Sequence, residues 1–364
     1  MLNRIKQVAK IMLAITWIRR TYEVANTVVL EVFGVSRLLT HLLYFFSFLT
    51  FGREQFAVLR GRRDYYRNKR KGNRRSSVEL RRNIHRLEKG LTMRPRRPVF
   101  AIDYIAETIE FYEKSHSRYT QQGSHLDVSE MQWAHDVLSA YFVANTGSAP
   151  VLDDARARFA ELSPIIHDGP ALAPFTRAES PTTTVTLDQL SALAQRRRSV
   201  RWFEQRSVER EKIDAALEVG LQSPTACNRM PYEFRIFDDP EQVRTVAAIP
   251  FGAAGYAHNI PVIITVIGKL DSYFSPRDRH AIYIDASLAA MPFMLALETQ
   301  GLSSSVINWP DFEPLERRMQ KVLGLAMTDR VVMLIALGYA ADDGIIPRSV
   351  KKELASVRSY NRMA

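Results

Sequence analysis

A single cysteine, Cys227, occurs among 364 residues, so an intrachain disulfide and a cysteine-based metal cluster are both excluded. Also missing are a Gly-x-Gly-x-x-Gly turn after a strand, a Walker loop and a His-Glu-x-x-His pair. Those absences set aside dinucleotide-fold, phosphate-loop and zinc-peptidase chemistry. The run Phe251–Gly255 contains glycine but precedes a strand, so it reads as a loop, and the 8 histidines are scattered and read as structural. A secretory signal is not expected: Ile11–Ile18 is short and is followed by Arg19 and Arg20 with no small-residue cleavage site. The uncharged stretch Leu38–Gly52 would cover about 22 Å as a helix, short of the ~30 Å hydrocarbon core. Extending it back to Val24 brings in Glu31 and Arg37, which are costly at mid-membrane. Two readings remain open, an interfacial or re-entrant helix and a helix buried against protein.

Acidic residues are scarce in one place only. Residues 1–100 carry 23 Lys/Arg against 6 Asp/Glu, a net of +17, whereas residues 101–364 carry 27 against 33, a net of −6. The overall +11 is therefore a property of the N-terminal region, and it points there to an anionic partner. The adjacent apolar helices favour an anionic membrane surface through residues 1–97. Tyr65 and Tyr66 alone are too little aromatic interleaving to argue for nucleic acid, and none is expected.

Four zones follow along the chain. Residues 1–57 are apolar and helical in pattern, with possible membrane association as their expected use. Residues 58–163 are first basic and then helical, with Ile102, Ile105, Ile109 and Tyr112 at helical spacing, and again Trp133, Val137, Ala140 and Tyr141. Residues 164–186 hold Pro164, Pro170, Pro174 and Pro181 with a Ser/Thr run, the composition of a linker. From residue 187 to 364 helices and strands alternate. Helices are expected over Asp188–Arg197, Glu209–Gln222, about 280–300, and from an Asp311 cap to Leu323. Strands are expected at Tyr232–Phe237, Pro261–Ile267, Ser304–Asn308 and Arg330–Leu337. The β-branched run Pro261–Ile267 reads as a strand buried on both faces. The class is α+β, a mixed sheet flanked by helices behind a separate, mostly helical N-terminal region.

Chemistry concentrates in an ordered set of segments. Arg196-Arg197-Arg198-Ser199-Val200-Arg201 places guanidinium forks and a hydroxyl at a helix end, a donor set suited to a phosphate. Pro224-Thr225-Ala226-Cys227-Asn228 is a polar turn leading into a strand. Tyr283–Ala290 opens a helix rich in small residues that ends Leu297-Glu298-Thr299-Gln300-Gly301-Leu302, with Gly301 where a left-handed cap belongs. Ser305–Pro310 follows it.

Over residues 188–358 this set resembles the nitroreductase-like flavoenzymes. The resemblance implies FMN as cofactor, NAD(P)H as co-substrate, a homodimer and a ping-pong cycle, with no side-chain acid or base. It implies that Arg197, Arg198 and Ser199 hold the phosphate and that Arg201 approaches the N1/O2 edge of the ring. Pro224, Thr225, Ala226 and Asn228 would touch FMN bound largely by the other subunit. The backbone of Asn308 or Trp309 would face flavin N5, and Arg348 and Lys351 would lie near the phosphate. Two positions depart from the family pattern. Met230 stands where a hydrogen-bonding Gln is common, and Trp309 stands at a position where it would shape the exposed face of the ring.

Arg82–Leu91 with Met93–Arg97 resembles a segment of longer family members associated with bacterial polysaccharide biosynthesis. His85, Glu88 and Lys89 share a helical face there. The expected product of all this is an FMN-dependent oxidoreductase of the cytoplasm, peripheral on the inner face of the cell membrane. Its alternatives are a catalytically silent flavin-fold interaction protein and a flavin-breakdown or dehalogenase-type member of the same fold.

Overall fold

The computed structural model describes residues 15–47, 49–71, 77–122 and 128–363. Residues 11–14 of the first apolar stretch, residue 48 of the second and residues 72–76 of the basic zone lie outside the described residues. The chain divides into two compact units, Met1–Ala57 with Asp311–Pro314, and Val58–Pro310 with Leu315–Ala364.

The smaller unit contains α1 (Thr16–Gly34), α2 (Arg37–Ser47) and the start of α3 (Leu49–Lys71). Ser36 opens α2 by accepting from the Leu39 N–H at 3.2 Å, and Thr40 Oγ1 donates to Phe33 O at 2.9 Å to hold the bend. No residue of α1 is buried. Trp17, Val24, Val28, Val32, Leu38, Phe45 and Phe46 are all exposed, an apolar surface far larger than solitary surface residues produce.

In the larger unit, α4 (Val78–Leu91), α5 (Ile105–Gln122), α6 (Val128–Ala144) and α7 (Pro150–Ala160) form a helical layer. Ser77 caps α4 by accepting from the Leu80 N–H, and Pro150 sits at the start of α7, where its missing N–H is no loss. The expected periodic residues Ile105, Ile109, Tyr112, Val137 and Tyr141 close a core with Leu80, Ile84 and Leu87. Trp133 packs against this core half-buried, Ala140 is half-buried outside it, and Ile102 lies exposed ahead of the helix. Residues 163–186 run largely exposed, with one short turn at Arg177–Glu179.

The remainder contains α8 (Leu187–Arg196), α9 (Arg210–Leu221), β1 (Tyr232–Phe237), α10 (Pro240–Ala247) and β2 (Val262–Lys269). It continues with α11 (Ala281–Thr299), β3 (Ser303–Asn308), α12 (Glu313–Leu323), β4 (Asp329–Gly338) and α13 (Leu354–Val357). The strands pair in the order β1-β2-β4-β3, all antiparallel. The sheet expected to be mixed is therefore antiparallel in its four strands, and the parallel pairing of Ser199 with Ser304 is an isolated bridge outside them. Every residue of β2 but the last is buried, as its β-branched run requires. Helix α11 packs on the sheet through Ala286, Ala290, Phe293 and Leu297, together with Ile213 and Ala216 of α9. Each such fully buried large side chain contributes roughly 1.5–3 kcal/mol. Gly220 of α9 permits the close approach, because a Cβ there would sit 2.9 Å from Ala289 O.

Candidate functional site

The arginine-rich segment is sewn into the sheet by its own backbone. Val200 N donates to Ser304 O at 3.1 Å, Glu204 N to Tyr339 O at 2.9 Å, and Ala341 N to Trp202 O at 3.0 Å. Asn259 Nδ2 also donates to Arg201 O at 3.0 Å. The side chains at 197–201 therefore leave a backbone fixed between the start of β3 and the end of β4.

Four guanidinium groups leave this segment in different ways. Arg196 is exposed and pairs with Glu298 at 3.5 Å. Arg198 and Arg197 are half-buried, and Arg198 Nη1 bonds only the Arg197 carbonyl, at 3.3 Å. Arg197 Nε is buried with no hydrogen-bond partner, and so are the hydroxyls of Ser304 and Ser305. A buried orphan donor of this kind costs about 1–3 kcal/mol or more unless a ligand satisfies it. Burial pushes the Glu298 carboxyl above the ordinary range, against the pull of Arg196 and Arg197. Arg201 lies with its guanidinium carbon 5.7 Å from the Tyr256 ring centroid.

Helix α11 ends beside this cluster in the way its sequence demands. Gly301 adopts φ +77°, and Leu302 N returns to Leu297 O at 3.0 Å. This left-handed cap turns the chain directly into β3 and its buried serines.

The turn at Pro224–Met230 is held from two sides. Asp285 on α11 accepts from the Ala226 N–H at 2.9 Å and from the Tyr273 hydroxyl at 3.1 Å. Burial raises the Asp285 carboxyl, against those hydrogen bonds and Arg229. On the other side Arg81 of α4 donates through Nε to Asn228 O at 2.7 Å. The turn needs such support, because Cys227, Asn228 and Met230 have φ of 56°, 50° and 49°. Non-glycine residues in that region cost on the order of 1–3 kcal/mol each and persist only where the surroundings over-determine them. Arg229 is buried with its guanidinium 4.8 Å from the Tyr273 ring, and its Nε has no partner.

At the far end of β3, Asn308 is exposed and Trp309 is buried. The Trp309 indole turns inward and donates to Glu316 Oε1 at 2.6 Å, so its ring serves the core and not the open face it was expected to shape. Arg348 and Lys351 lie on an exposed C-terminal stretch without regular structure, and among the described residues no ion pair forms at either. The His85, Glu88 and Lys89 face exists on α4, but Glu88 is engaged by His85 at 3.0 Å and by Trp133 Nε1 at 2.8 Å. Sequence reasoning passed over Arg81, Glu298 and Arg229. Arg81 lies one position ahead of the dense polar segment Arg82–Leu91 and outside it, so it carried no signal of its own.

The nitroreductase family model matches residues 194–254 and 247–339. A protein of Archaeoglobus fulgidus, named for NADH dehydrogenase and NAD(P)H nitroreductase, is 28% identical over 151 residues, 40% of this chain and 83% of its own length. An NADH dehydrogenase of Thermus thermophilus is 27% identical over 193 residues, 44% of this chain and 91% of that one. Among solved structures, an FMN-dependent nitroreductase of Clostridium difficile is 21% identical with a TM-score of 0.41, covering 47% of this chain and 98% of the other. Residues before α8 have no counterpart in the family match. Residues 194–339 thus match the nitroreductase family model, and that part of the chain is similar to proteins of this family.

Proposed function

We propose that the protein is an FMN-dependent oxidoreductase that works as a homodimer. The observation that carries this reading is the buried, partnerless Nε of Arg197, two residues before the Ser199–Ser304 bridge, where the Ser304 hydroxyl also lacks a partner. An arginine fork with adjacent hydroxyls fits a phosphate monoester, and the pinned backbone fixes where that ester must lie. Bound FMN would supply two-electron redox chemistry between NAD(P)H and an unidentified acceptor, in the ping-pong order that the resemblance implies. Arg197, Arg198 and Ser199 hold the phosphate. Arg201 places a permanent cation by the ring, which favours the anionic reduced form. The turn with Pro224, Thr225, Ala226 and Asn228 closes over the ring from the partner subunit, and the exposed chain carrying Arg348 and Lys351 reaches toward the same phosphate. The backbone at Asn308 and Trp309 offers the donor at N5.

An absorption spectrum tests this directly. Purified protein supplied with FMN should show bound-flavin bands that bleach on adding NADH or NADPH without oxygen. Colourless protein that cannot be reconstituted overturns the reading. Bound flavin indifferent to both nicotinamides favours the silent interaction protein instead.

The exposed apolar residues of α1 and α2, in a region of net +17, support peripheral attachment to an anionic bilayer. Co-sedimentation with vesicles should depend on anionic lipid, weaken with salt and fall in F45S/F46S. Equal recovery with neutral vesicles would remove this part of the proposal.

A further inference from the structure

We infer that Arg81, outside the family match, is a positioning residue for the cofactor site: it holds the Pro224–Met230 turn in its ring-facing conformation. The inference rests on the flavin reading, because that turn matters to chemistry only if it closes over a bound ring. Its geometric basis is independent of the cofactor.

Arg81 is 8% exposed, and its three nitrogens are committed. Nε donates to Asn228 O at 2.7 Å, Nη2 approaches Met230 Sδ at 3.4 Å, and Nη1 donates to Glu130 Oε2 at 3.1 Å. Two of the three residues with left-handed backbone in the turn are thus gripped by one planar fork. Glu130 in turn accepts from the Ser77 N–H at 2.8 Å, at the cap of α4, and the Trp133 ring lies 5.3 Å from the guanidinium carbon. The fork is therefore held rigidly by α4 and α6 before it meets the turn. Inside the turn only short bonds assist, Asn228 N to Thr225 O at 3.0 Å and Met230 N to Thr225 Oγ1 at 3.1 Å. The Met230 thioether offers Arg81 a soft acceptor. The helical layer ahead of the family match is by this account part of the cofactor site and not an appendage to it.

Amide hydrogen exchange on the full chain without flavin, read by mass spectrometry, tests the placement, and FMN affinity tests its consequence. Removing Arg81 alone would take the guanidinium away from the buried Glu130 carboxylate, so the informative variant is R81M/E130Q, which removes both charges and keeps an acceptor for Ser77. Protection over residues 225–231 should fall at least tenfold in R81M/E130Q while α11 stays as protected as in the wild type. R81K, which keeps the charge without the fork, should fall between the two. FMN should bind R81M/E130Q at least tenfold more weakly. Unchanged protection of the turn, or equal loss of protection in α11, overturns the inference. A wild-type chain that binds no FMN overturns the flavin reading, and with it the cofactor role, whereas normal FMN affinity in a variant with a loosened turn overturns the inference alone.

Discussion

Replacing Trp309 with Phe removes one hydrogen bond whose value follows from its surroundings. The indole is 7% exposed and donates to Glu316, itself 3% exposed, at 2.6 Å. A hydrogen bond to a charged acceptor contributes about 1.5–3 kcal/mol, and a buried carboxylate that loses one has no water to replace it. Arg330 Nη2 still lies 3.9 Å from the same oxygen, so the loss belongs toward the lower half, about 2 kcal/mol. For a domain of this size that lowers the melting temperature by roughly 4–8 °C. Trp202, 44% exposed and without an indole hydrogen bond, is the natural control, and W202F should stay within about 0.5 kcal/mol of wild type. Thermal unfolding followed by near-ultraviolet circular dichroism compares the two. If W309F melts as the wild type does, or no lower than W202F, the Trp309–Glu316 bond is not holding the end of β3.

Further outcomes are expected elsewhere. R197A and R198A should each weaken FMN binding about 10–100-fold, the value of one hydrogen bond to a charged group, with little change in melting temperature; flavin fluorescence quenching measures it, and unaltered affinity refutes the phosphate assignment. Burial pushes the Asp136 carboxyl up, but hydrogen bonds from His167, the Leu172 N–H and His135 outweigh it and hold it below its ordinary value. Its folded pKa is thus depressed, so its stabilisation is present above the unfolded value of about 4 and is lost as pH falls through the folded one. D136N should accordingly be less stable at neutral pH and lose less on acidification; parallel urea midpoints across that range would contradict this. In G338A a Cβ would stand 2.5 Å from Pro261 Cγ and 3.0 Å from Phe203 Cδ1, and the overpacking should cost about 1–3 kcal/mol in equilibrium unfolding.

The strands and the capped helix of the C-terminal half were legible because their causes are local. The β-branched run at Val262–Lys269 has one comfortable environment, a strand covered on both faces, and Gly301 marks a helix end because its φ of +77° suits no larger residue as well. The ordered arginine, turn and small-residue segments were likewise readable, since each is contiguous and the chemistry they imply depends on residue type. Contacts between distant segments were not. Nothing near Cys227 or Met230 announces a left-handed backbone, which is held there by Arg81 from 147 positions away. Arg196 meets Glu298 only after α11 has been laid against the sheet, and Trp309 turns inward only because Glu316 waits beneath it. By itself the sequence determined the elements, the charge asymmetry and the donor set, all consequences of neighbouring residues and composition. The tertiary structure alone decided which arginine is left without a partner and what restrains the turn. Those outcomes depend on packing between segments far apart in the chain, where a hydrogen bond forms or fails over less than an ångström.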